Sequence, residues 1–77
     1  MRPLRNPTEG RLLKALRVQV YLEYARAYNN RGIAYRSLGQ HERAIEDYNE
    51  AIRLDPQNPL PYTNRGVAYG RLGPVKL

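Results

Sequence analysis

The word "NNRGIAY" at residues 29–35 returns as "TNRGVAY" at 63–69, a shift of 34 positions. The match is wider than the word. Tyr28 falls on Tyr62, Asn30 on Asn64, Arg31 on Arg65 and Gly32 on Gly66. Ala34 falls on Ala68, Tyr35 on Tyr69, Leu38 on Leu72 and Gly39 on Gly73, and Ile33 against Val67 is conservative. A fixed period of this length is the mark of a stacked architecture, in which one supersecondary unit is copied and each copy covers the apolar face of its neighbour. In a chain of 77 residues the core is small, so stacking carries most of the stability available.

The breakers divide the chain. Residues 1–10, "MRPLRNPTEG", hold two prolines and a glycine and read as a flexible lead. From Arg11 to Leu38 the only helix breaker is Gly32. Leu13, Leu16, Val20, Tyr24, Ala27 and Ala34 recur there at three or four residues, a helical stripe that Arg31 interrupts. Residues 11–38 therefore form either one helix of about 28 residues, roughly 42 Å long, or two helices that bend near 23–25, with 11–24 as an additional N-terminal helix. Gly39 suits the left-handed position that ends a helix. The next helix runs over about 42–54, with Ala44, Ile45, Tyr48, Ala51 and Ile52 on one face. Glu42, Arg43, Glu46, Asp47, Glu50 and Arg53 make up the other, solvated face, where Arg43 pairs with Asp47 and Glu50 with Arg53. "LDPQNPLP" ends this helix at Pro56, and a third spans about 60–72. No strand alternation appears, so the fold is expected to be all-α, a helical-hairpin repeat.

A glycine within a helix is less favourable than alanine by about 1 kcal/mol. Two copies at one register imply that another helix backbone approaches there. Ala44 and Ala51 are then the small partners across the hairpin, and Tyr35 and Tyr48 fill the remaining space.

These residues carry a resemblance. Residues 25–58 resemble one tetratricopeptide repeat, and 59–77 the first helix of a second with its tail, on the strength of Tyr28, Gly32, Tyr35, Gly39, Ala44, Tyr48, Ala51, Pro56, Gly66 and Tyr69. Tyr28 stands where the family most often has Trp. Arg31 and Arg65 stand where a leucine-like residue is usual, and they are expected either to reach an acid on the second helix, Asp47 being the candidate, or to lie along the surface. The resemblance implies a non-catalytic scaffold whose first helices line a groove for a peptide or partner helix. Carried over position by position, the groove residues are Arg26, Asn29, Asn30, Ile33, Arg36, Ser37, Thr63, Asn64, Val67 and Arg71. Asn30 and Asn64 match an asparagine that in family members hydrogen-bonds a ligand backbone, and the alternative is that they bond only to neighbouring helices. Some chaperone-binding members hold a carboxylate with a lysine where this chain has Asn29 and an asparagine where it has Ile33. That clamp is incomplete here, while Arg26, Arg36 and Arg71 still suit an acidic peptide.

Composition narrows the other classes. There is no Cys and one His, His41, so a Cys or His zinc site within one chain is excluded, and no cofactor is expected. Ser37, Thr8 and Thr63 are the only hydroxyl nucleophiles besides tyrosine, with no base at readable spacing, which disfavours catalysis. The net charge of +6 is spread: five bases against two acids in residues 1–24, eight against five in 25–77. Without a basic run, a nucleic-acid-binding protein is the third reading. No apolar stretch spans a bilayer and no secretory leader is evident, and a cytoplasmic location is expected.

One repeat and a half leave a problem. The third helix has no following partner, since counterparts of Ala44, Tyr48 and Ala51 fall past residue 77. The expectation is a homo-oligomer, a dimer first, in which residues 11–24 or the hairpin of one chain cover the third helix of another. The competing reading is a truncated or engineered repeat fragment, stable by self-assembly and without a native ligand.

Overall fold

The computed structural model describes residue 3 and residues 6–74. Within them are three helices: α1, Pro7–Ser37; α2, His41–Leu54; and α3, Leu60–Leu72. No strand occurs among the described residues. The molecule is elongated, with extents of 56 × 26 × 21 Å and a radius of gyration of 16.8 Å, against about 11–12 Å for a compact domain of this length.

The elongation comes from α1, a single uninterrupted helix of 31 residues. It begins earlier than the prolines and glycine of the lead suggest, so the flexible lead does not extend over 7–10. Asn6 is the N-cap: its side-chain Oδ1 accepts from the Glu9 N–H at 2.8 Å. Pro7 occupies the first helical position, where its missing N–H leaves no bond unmade. Residues 1, 2, 4 and 5, the rest of that lead, lie outside the described residues.

Only the second half of α1 is packed. Its buried residues are Ala25, Asn29 and Gly32. Leu13, Leu16 and Val20 are exposed with all of residues 11–20, and Tyr24, Ala27 and Ala34 are exposed because the packed face of the second half carries Ala25, Asn29 and Gly32 instead. The α1–α2 turn is closed by Gly39 N–H to Arg36 O and Gln40 N–H to Tyr35 O, both at 2.9 Å. It requires φ of 78° at Gly39, the left-handed region glycine enters without strain.

Between α2 and α3 two side chains set the turn. Asp55 Oδ1 accepts from Gln57 N–H at 3.3 Å, and Asn58 Oδ1 accepts from Leu60 N–H at 3.1 Å. Tyr62 then donates its hydroxyl to Pro56 O at 3.2 Å, tying α3 to the turn. Short connections make successive helices antiparallel, so α1 and α3 run in the same direction.

The core joins Ala44, Ile45 and Tyr48 of α2 to Ala68 of α3, with Ile33 and Tyr35 of α1 packed around them. A Cβ on Gly32 would stand 2.6 Å from Tyr48 Cε1 and 2.9 Å from Cδ1. The glycine therefore admits an aromatic ring; the close approach of two backbones expected from the sequence is replaced by a backbone under a side chain. Asp47 is likewise no part of a solvated face. It is buried because Arg31 crosses from α1 to meet it. Arg43 bonds Gln40 at 3.1 Å instead of Asp47. Arg53 and Glu50 form the expected surface pair, which raises the guanidinium's pKa and lowers the carboxyl's through their hydrogen bond.

Candidate protein-binding groove

The first helices of the two repeat units, α1 and α3, lie side by side and present the groove positions. Arg26 and Asn30 of α1 are exposed, and Asn30 has no side-chain hydrogen-bond partner among the described residues. Ile33 and Arg36 are half-buried, while Thr63, Val67 and Arg71 are exposed.

Asn29 departs from its expected role. It is 6% exposed, and its Oδ1 accepts from Asn64 Nδ2 at 3.1 Å. This bond joins α1 to α3 and satisfies two amides that face each other in a partly buried seam. Asn64 is thus bonded to a neighbouring helix through one group, and Asn29, the position of the clamp lysine, is turned inward. The two exposed hydroxyls bond their own helices: Ser37 Oγ to Ile33 O at 3.1 Å and Thr63 Oγ1 to Pro59 O at 3.4 Å.

Four of the expected residues come together at one end of the groove. Arg36, Ser37, Val67 and Arg71 line an open depression of about 430 Å³, with Gly39 and His41. Two arginines, one from α1 and one from α3, thus line one recess, with Val67 beside them. Arg26, Asn30 and Thr63 lie outside it. His41 is the residue that sequence reading misses. Its place follows from the tight turn at Gly39, which sets the start of α2 beside the end of α1. Its Nδ1 is buried and lacks a hydrogen-bond partner among the described residues.

The arginines at the repeat's seventh position serve the scaffold. Arg31 Nε and Nη2 donate to Asp47 Oδ2 and Oδ1, both at 2.8 Å, a two-pronged contact between α1 and α2. The guanidinium also stands 5.5 Å from the centre of the Tyr28 ring and 5.8 Å from that of Tyr35. The hydrogen bond to Asp47, and then its charge, hold the Arg31 pKa above its ordinary value. Arg65 differs: it donates through Nη1 to Asn49 Oδ1 at 2.7 Å, back onto α2, and stacks over Tyr62 at 5.5 Å. No acid meets Arg65 among the described residues.

Among the described residues there is no group of three or more His, Asp or Glu side chains that could hold a metal ion. No described helix is long and apolar enough to cross a membrane.

A helical hairpin followed, on a 34-residue period, by the first helix of a second copy defines a helical repeat of the kind that scaffolds protein interaction. The TPR repeat family model matches residues 32–73. The chain also matches Stress-induced-phosphoprotein 1 of Caenorhabditis elegans, with 36% identity over 62 residues, 78% of this chain and 19% of that protein. The chain belongs to the tetratricopeptide repeat family. It spans about a fifth of the length of the relative it matches. No solved structure matches it.

Proposed function

We propose that the chain binds an acidic peptide segment of a protein partner in the groove between α1 and α3, and that it associates with itself. The observation that carries the first reading is the recess bordered by Arg36 and Arg71. Two arginines on separate helices line one recess whose volume suits a carboxylate side chain or terminus, and Val67 lines it beside them. Asn30 and Arg26, exposed about two and three turns back along α1, extend the same stripe, Asn30 toward peptide backbone and Arg26 toward a further acid.

The test is fluorescence anisotropy with a labelled acidic peptide and a neutral peptide of the same length. The acidic peptide binds more tightly, and its affinity falls with added salt. Arg36→Glu and Arg71→Glu each weaken it by about ten-fold or more, while Lys14→Glu, remote on α1, changes it little. Equal binding of both peptides, or affinity indifferent to both arginine substitutions, overturns the reading.

A further inference from the structure

Among the described residues nothing lies over Gly66. It sits in mid-helix, its φ is not in the left-handed region, and a Cβ there meets nothing within 4 Å. Gly70, one turn on, is equally open. Around them Tyr62, Tyr69 and Leu72 are exposed. On α1 the same register, Tyr28, Gly32 and Tyr35, is the seat of α2, whose Tyr48 lies over Gly32. The face of α3 is thus a seat of known shape, a glycine floor between tyrosines with an arginine at its edge.

The chain holds a second segment with the features of the occupant. Residues 20–27 read VYLEYARA, and residues 44–51 of α2 read AIEDYNEA. Tyr24 matches Tyr48, Ala27 matches Ala51, Val20 stands for Ala44 and Glu23 for Asp47. In α2 these are the buried residues. In α1 all four are exposed, Tyr24 at 58%. They lie on a face of α1 that stays exposed although Ala25, among them in sequence, is buried.

We infer that residues 20–27 of a second copy of this chain occupy the α3 face. The inference rests on the self-association proposed above and names its surfaces. Tyr24 of one copy lies over Gly66 of the other as Tyr48 lies over Gly32, with Val20 toward Gly70 and Ala27 toward Tyr62. Glu23 meets Arg65 as Asp47 meets Arg31. Both partners of that pair have capacity left. Arg65 uses Nη1 for Asn49, and among the described residues Glu23 accepts only from Gln19 Nε2 at 3.1 Å, through one carboxylate oxygen. Direction agrees as well. The occupant must run antiparallel to α3, as α2 does to α1. Since α1 and α3 run in the same direction, a two-fold axis across the helices provides this twice, and the interface closes as a dimer.

Sedimentation equilibrium of the 77-residue chain tests it. The expected mass is twice the 8.9 kDa of one chain. Tyr24→Asp and Gly66→Leu alter side chains that touch nothing essential in the single chain, so each keeps its helical circular dichroism while its mass falls two-fold. Mixing the two variants returns one intact contact and partly restores the dimer. Should either variant lose helicity, charge reversal replaces it: Glu23→Arg weakens the dimer, and Glu23→Arg with Arg65→Glu recovers it. A monomeric wild-type chain overturns self-association altogether. A dimer that none of these substitutions weakens leaves self-association standing and overturns the assignment to α3 and residues 20–27.

Discussion

The two glycines of the repeated word sit at one register and in opposite surroundings. Gly32 is buried beneath the Tyr48 ring, and Gly66 faces open space. Their arginine neighbours divide in the same way. Arg31 is held in a two-pronged pair by a buried carboxylate, while Arg65 reaches a single amide on the helix behind it. One sequence word thus produces a finished contact on α1 and an unfinished one on α3. The teaching is that the word encodes a receptor surface, and that the ring of the following helix completes it.

The sharpest way to break the comparison is to give both glycines a methyl group. Alanine at either site gains up to about 1 kcal/mol of helix preference. At position 32 the new Cβ meets a packed aromatic ring that has nowhere to move, so Gly32→Ala is expected to lower stability by about 1–3 kcal/mol and Gly32→Leu to unfold the domain. Gly66→Ala, measured at dilutions where the chain is monomeric, raises stability by about 0.5–1 kcal/mol. Thermal melts read both signs. Equal effects at the two sites mean the ring contact has been misjudged.

The arginines come next. Arg31→Leu restores the residue type usual in the family but strands Asp47, whose side chain is 6% exposed, so the melting temperature falls. Adding Asp47→Leu recovers most of the loss, because the buried carboxylate leaves with its partner. Arg65→Leu at the same register strands no buried charge, and its effect is small. A double-mutant cycle measures the coupling between positions 31 and 47, and additivity there would deny the pair any stabilising role.

Tyr48 sharpens the finished side. Its ring is fully buried and its hydroxyl has no hydrogen-bond partner among the described residues. Tyr48→Phe is expected to be neutral or to stabilise by up to about 1 kcal/mol, since a desolvated, unbonded hydroxyl is removed and the ring stays. Burial, the largest cause, raises the Tyr48 pKa above its ordinary 10.0. The folded chain then retains a proton that the unfolded chain gives up, and stability declines as pH rises above about 10. Tyr48→Phe flattens this alkaline decline, which urea titrations at pH 9 and 11 detect.

The smallest effect lies at the free end of α1. Asn6→Ala removes the cap and weakens the first turns by about 1 kcal/mol. No residue of those turns is buried among the described residues. The loss therefore appears as fraying in amide exchange over residues 7–14, with the global melt barely moved.

Much of the fold is legible in the sequence. The period of 34, the proline turn and the glycine turn give three helices in order, and the structure has them within a few residues. Asp47 as the partner of Arg31 is legible too, since an arginine on an otherwise apolar stripe needs an acid within reach. The groove is legible only in part. Arg36, Val67 and Arg71 do converge, but Asn29 is turned inward, and nothing in its local pattern distinguishes it from Asn30. Helical neighbours differ by about 100° in direction, and which one faces a partner depends on where that partner lies.

The sequence by itself determined the repeat unit, the helix order and the family, because these rest on local rules: period, breakers, and small residues against large. Tertiary structure alone decided which face of α1 is buried, and so left Leu13, Leu16, Val20 and Tyr24 uncovered. It also decided that a ring occupies the space at Gly32. Burial is a property of two surfaces together, and a chain's periodicity describes only one of them.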